Sequence, residues 1–161
     1  KNAMNISTPT ICLSRRRSFA LACALAMVAP LAQAEKITVG DRVLDVGVAQ
    51  SRQEHTKGLQ GVKHLPDTKG MLFVFEPTRK VCFWMKGTPI DLDVGFFDEN
   101  DQLVKYEGMQ ANMLDLHCSP VPVRYALEVP SGWYQRYGIS ITTKLRRAER
   151  LEKPAKDVGE N

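Results

Sequence analysis

Residues 70–98, GMLFVFEPTRKVCFWMKGTPIDLDVGFFD, decide how the rest of the chain folds. Three short apolar runs follow one another there, at 71–75, 81–85 and 92–97, separated by turns that carry Pro and Gly. Each run is too short for a helix and rich in Phe and Val, which suit a pleated surface. The first, MLFVF, shows no polar alternation, so it is expected to be covered on both faces. Asp91 and Asp93 stand among these large hydrophobes. The pattern predicts a β-core with charged groups held at its margin.

Upstream, 36–39 and 42–48 read as two strands around the turn Gly40-Asp41, with Leu44, Val46 and Val48 alternating against Asp45 and Gly47. Ser51-x-x-Glu54 is a capping box that should start a helix, and Gly58 and Gly61 should end it within two turns. Leu59 and Val62 would dock that helix on the sheet. Downstream, 98–102 is a hairpin loop into a strand at 103–106, and 110–123 is irregular because Pro120 and Pro122 oppose regular structure. In a strand at 124–129, Tyr125, Leu127 and Val129 face one way, and Arg124, Ala126 and Glu128 the other. A helical turn runs from Pro130 through Trp133 and Tyr137 to Gly138, and 139–145 alternates as a last strand. The class expected is mainly β: an antiparallel β-sandwich or partly open, jelly-roll-like barrel with one or two short helices.

The N-terminal part reads as targeting rather than fold. Residues 1–3 precede Met4, taken as the native start. Arg15, Arg16 and Arg17 precede an apolar run at 19–32, and Ala32-Gln33-Ala34 is an A-x-A cleavage site. The run falls short of the ~20 residues that span a bilayer, so a removed signal is expected rather than an anchor. Arg16-Arg17-Ser18-Phe19 also fits a twin-arginine signal, and the general secretory route is the alternative. Cys23 lies mid-way through the run, a poor place for a lipid-bearing cysteine. The organisation expected is a leader over 1–34, one β domain over 35–146 and a charged tail over 147–161. The protein should be periplasmic or secreted. Of the 22 Lys and Arg, four lie in the leader, leaving 18 against 18 acidic residues. That neutral balance carries no nucleic-acid footprint. The expected partner is a small molecule or an envelope protein, for a monomer with no membrane span after cleavage.

Cys82 and Cys118 are the two cysteines outside the leader. In an oxidising compartment the first reading is a disulfide, and the alternative is a free Cys82 buried in its apolar run.

Several blocks, in order, resemble the bacterial and archaeal family known as domain of unknown function 192. They are Gly58-Leu59, Gly70-Met71-Leu72-Phe73-Val74-Phe75, Phe83-Trp84-Met85-Lys86, Leu92-Asp93, and Arg124-Tyr125-x-Leu127-Glu128-Val129-Pro130-x-Gly132-Trp133. The resemblance runs from about Val46 to Leu145 and implies a β-sandwich-like fold with no assigned activity. This chain departs from the pattern at Gln60, usually Met, at Gly87, usually Asn, and at Thr142-Thr143, where Gly-Asp is common.

Asp93 and Glu128 lie in apolar strands, and a buried carboxylate needs a partner or a proton. Lys86 and Arg124 are the natural partners. One reading is a polar cleft where Asp93 and Glu128, with Lys86, act as acid and base on a glycan while Arg124 grips an anion. The other is a structural ion network. Trp84 and Trp133 are candidates for an aromatic ligand platform, Trp84 fitting the core better and Trp133 either place. Asp115-x-His117-Cys118 is read as a surface loop, and neither metal nor cofactor is expected. His55 and His64 are single and suggest nothing. Ligand binding without turnover is the first functional reading. An envelope hydrolase or lyase and a structural or assembly factor are the alternatives.

Overall fold

A computed structural model describes residues 34–148. The expected leader up to residue 33 and most of the expected tail lie outside them. Nine strands and two short helices follow in the order β1 (Ala34–Val39), β2 (Arg42–Ala49), α1 (Arg52–Lys57), β3 (Lys69–Arg79), β4 (Cys82–Phe83), β5 (Leu92–Phe97), β6 (Leu103–Met109), β7 (His117–Cys118), β8 (Val123–Pro130), α2 (Trp133–Arg136) and β9 (Leu145–Arg147). Seven strands form one sheet in the order β6-β5-β8-β3-β2-β1-β9, and β4 pairs with β7 in a small second one.

The large sheet curls. Its two edge strands meet at one end, where Gln102 bridges Lys144 and the Leu103 amide donates to the Thr143 carbonyl at 2.9 Å. The result is a mainly β half-barrel with two short helices. Its pairings are antiparallel apart from β2 and β3, which run parallel because α1 and the following loop carry the chain back across the sheet. The last strand starts later than the alternation at 139–145 predicts. Residues 141–142 form a turn with Thr142 at φ 76, and strand pairing begins at Leu145. Arg147 still belongs to that strand, and its guanidinium grips Glu35 with contacts of 2.6 and 2.8 Å, tying β9 to β1.

The sheet buries both faces, as the unbroken apolar run in β3 requires. Inside the curl, Ile37, Leu44, Leu72, Tyr125, Leu127 and Trp133 belong to one cluster, closed by α2. Outside, Phe73, Phe75, Val94, Phe96 and Ala126 form a second cluster with Leu59 and Met85. Three devices hold the outer cover in place. The capping box of α1 is made: the Glu54 amide donates to Ser51 Oγ, and the amides of Ser51 and Gln50 donate to Glu54 Oε2 at 2.8 and 2.9 Å. Those two amides hold the Glu54 carboxyl below its usual pKa. A disulfide joins Cys82 to Cys118, and the Met85 amide donates to the Met113 carbonyl at 3.0 Å. The free-Cys82 alternative is thereby excluded.

Candidate functional site

Strand register places the two buried carboxyls. Across the sheet, Glu128 lies level with Met71 of β3 and Val94 of β5. Asp93 is paired with Val129, one residue on from Glu128, and side chains of neighbouring residues leave a strand on opposite faces. Glu128 therefore points outward and Asp93 inward. The expectation of one cleft holding both is corrected by this parity.

Asp93 faces α2. The first amides of that helix, at Gly132, Trp133 and Tyr134, donate to its carboxylate, and Arg136 adds a favourable charge. Gly132 itself is left-handed (φ 75) and caps nothing with a side chain, so a carboxylate from a distant strand serves as the helix cap. Burial pushes the Asp93 pKa upward and the amides pull against it.

Glu128 has no such partners. Only 5% of it is exposed, and no described residue donates a hydrogen bond to its carboxyl. Burial pushes its pKa up to about 8. The carboxyl lines a cavity of about 240 Å³ outside the sheet, beneath the end of α1. Gly58 makes that approach close. Its φ is +42, and a Cβ there would sit 3.3 Å from the Phe73 ring and 4.0 Å from Glu128 Oε2. Phe73, Phe75, Phe83 and Trp84 supply an aromatic wall, and Thr56, Gln60 and Thr88 supply neutral polar groups.

His55 and Arg79 stand on the cavity as a pair. His55 Nε2 faces the Ala49 carbonyl at 3.1 Å, and Nδ1 faces the Arg79 guanidinium at 3.5 Å. A carbonyl only accepts and a guanidinium only donates, so Nε2 carries the proton and Nδ1 the lone pair. The ring lies 4.8 Å from that of Phe75, and the Arg79 guanidinium stands 5.1 Å above the same ring. His55 belongs to no motif in the sequence. It precedes Leu59 by four residues, and that spacing puts it on the sheet-facing side.

The other sequence candidates are dispersed. Trp84 is 48% exposed and sits on the cavity rim, whereas Trp133 is buried inside the curl with Nε1 donating to the Asp67 carbonyl at 3.0 Å. The two tryptophans form no common platform. Lys86 stands 5.4 Å above the Trp84 ring, and Arg124 lies 3.7 Å from Asp101. Neither compensates Glu128, so the ion network expected around the two carboxyls is not formed. His117 lies 3.5 Å from Glu107 at the edge of the small sheet. Among the described residues no group of three His, Cys, Asp or Glu side chains converges as metal ligands.

Comparison with protein-family models matches residues 35–147 to DUF192, described as uncharacterized. The chain belongs to the DUF192 family. No curated protein matches it. Two of the solved structures that share the fold are similar over most of their length. One is a protein of unknown function from Novosphingobium aromaticivorans, 26% identical, with a TM-score of 0.70 over 74% of this chain and 90% of that one. The other, from Sinorhizobium meliloti, is described as a candidate transcription regulator and is 29% identical, with a TM-score of 0.69 over 72% of this chain and 95% of that one. Within this DUF192 domain the departures Gln60 and Gly87 are neighbours: a Cβ on Gly87 would lie 3.7 Å from Gln60 Cγ, beside the cavity. The Cys82–Cys118 disulfide suggests an oxidising compartment.

Proposed function

We propose that this DUF192 protein is a periplasmic or secreted binding protein whose outer cavity takes a small ligand without turning it over. One observation carries the reading: Glu128 is buried, unpartnered and directed into a cavity with an aromatic wall. An unpaired buried carboxyl costs stability, and a ligand that satisfied it would repay that cost on binding. The volume is below the ~300–1,000 Å³ common for drug-sized ligands, so the ligand should be compact. The acid–base alternative needs two carboxyls flanking one substrate. Parity separates Asp93 and Glu128, and the amides of α2 occupy Asp93.

A thermal-shift screen of residues 35–148 against amino acids, amines, carboxylates and sugars tests this reading. A stabiliser should emerge and should lose its effect in Thr56→Trp, which fills the cavity from the exposed face of α1. A screen with no stabiliser, or with one indifferent to Thr56→Trp, would sink it.

A further inference from the structure

Resting on that pocket reading, we propose the ligand class: a compact zwitterion of the amino acid type, its ammonium seated on Glu128 and its carboxylate on Arg79. Glu128 is the one acidic side chain among the described residues lining the cavity, and it is unpaired at 5% exposure. Such a group calls for a donor, and an ammonium is the strongest one a compact ligand can bring. The rings of Phe73, Phe83 and Trp84 add faces that favour a cation or an apolar side chain.

A simple amine fits only half of the site. Lys57 and Arg79 also line the cavity, and their charge opposes a bare cation. Arg79 is placed in advance by the chain from Ala49 carbonyl through His55 to its guanidinium. A planar fork held in that way suits a carboxylate. A simple carboxylate leaves Glu128 unsatisfied in its turn. A ligand carrying both charges, with a short apolar side chain against the rings, meets all three features together.

The charged and titratable groups facing Glu128 across the cavity are His55 and Lys57 from the α1 segment and Arg79 from β3. Strand β5 brings Val94 to its side. Because burial keeps the Glu128 carboxyl largely protonated at neutral pH, seating an ammonium there releases a proton to solvent.

Titration calorimetry with three probes tests the assignment: L-leucine, 3-methylbutylamine, which lacks its carboxylate, and 4-methylpentanoate, which lacks its amine. L-leucine should bind at least tenfold more tightly than either fragment. Glu128→Gln should weaken L-leucine at least tenfold and leave 4-methylpentanoate unchanged, while Arg79→Gln should weaken L-leucine and spare the amine. Heats of L-leucine binding at pH 7 should differ between phosphate and Tris buffers by the amount due to nearly one released proton. Equal affinity for L-leucine and 4-methylpentanoate, or an unchanged L-leucine affinity in Glu128→Gln, overturns the proposal. Silence from all three probes, beside another stabiliser that Thr56→Trp abolishes, overturns the ligand class and leaves the binding pocket standing. Absence of any stabiliser sensitive to Thr56→Trp overturns both.

Discussion

Asp93 and Glu128 are equally buried, at 5% exposure each, on adjoining strands of one sheet, yet they have opposite standing. Inside the curl, Asp93 spends its acceptors on the amides that open α2. Outside, Glu128 faces a cavity with nothing on its carboxyl, and desolvation is the cause of its raised pKa. Burial of a charged group therefore does not mark a site by itself. What separates the two carboxyls here is whether their hydrogen-bonding capacity is already used.

That contrast breaks first if the interior is not as tight as it looks. A Cβ added at Gly95 would collide with the hydroxyl of Tyr134, which donates to the Leu127 carbonyl at 3.1 Å. Gly95→Ala should cost roughly 3 kcal/mol or more in urea unfolding. Gly47, where an added Cβ meets only Met71 Sδ at 3.6 Å, should tolerate alanine at a cost below about 1 kcal/mol.

The outer side should respond next, to loss of its covalent tie. Cys82 and Cys118 close a separation of 36 residues, so their joint replacement by Ser should cost about 2–4 kcal/mol. Hydrogen exchange should then rise around the cavity cover and stay low inside the curl. Uniform loosening would show that the two sides are not separate units.

Smaller effects sharpen the comparison of the carboxyls themselves. Asp93→Ala removes the acceptor for α2 and should cost about 1–2 kcal/mol. Glu128→Gln should act through pH instead. Folding raises the Glu128 pKa from 4.5 to about 8, so the folded state holds the proton more tightly. Stability is then greatest below about pH 4.5 as far as this group is concerned and declines as pH climbs toward 8. Asp93 is shifted in the same direction and adds to that slope. Thermal melts across this range should fall with pH in the parent protein and fall less steeply in Glu128→Gln. The Arg136–Asp67 contact, 2.6 Å long with both side chains more than two-fifths exposed, should be worth less than about 1 kcal/mol in an Arg136→Ala variant.

Much of the fold was legible in the sequence because local chemistry specifies it. The Ser51–Glu54 box starts α1, the alternation in β8 assigns its two faces, and the paired cysteines mark the small sheet. The less visible features depend on partners distant in sequence. The run at 81–85 pairs over only Cys82–Phe83, since its partner β7 is equally short. No local pattern announces that β2 and β3 run parallel, or that β5 meets β8 with Asp93 opposite Val129. That register decides the site. Asp93 and Glu128 could be named as buried acids from their apolar neighbours, but their relative faces follow from pairing, and the amides that occupy Asp93 belong to the turn that opens α2. Trp84 leaves its expected place in the core for the same reason, and Trp133, which the sequence leaves open between core and platform, is buried. An apolar run flanks Trp84, but the two-residue β4 ends at Phe83 and leaves Trp84 at the rim.

Carbon-13 NMR of the side-chain carboxyls in glutamate-labelled protein reads the central claim directly, with Glu128→Gln assigning the resonance. The structure predicts one glutamate titrating near pH 8 while Glu54 titrates below its ordinary value. A Glu128 carboxyl that titrates between pH 4 and 5 would contradict it, because the group would then be solvated or partnered rather than buried without a partner.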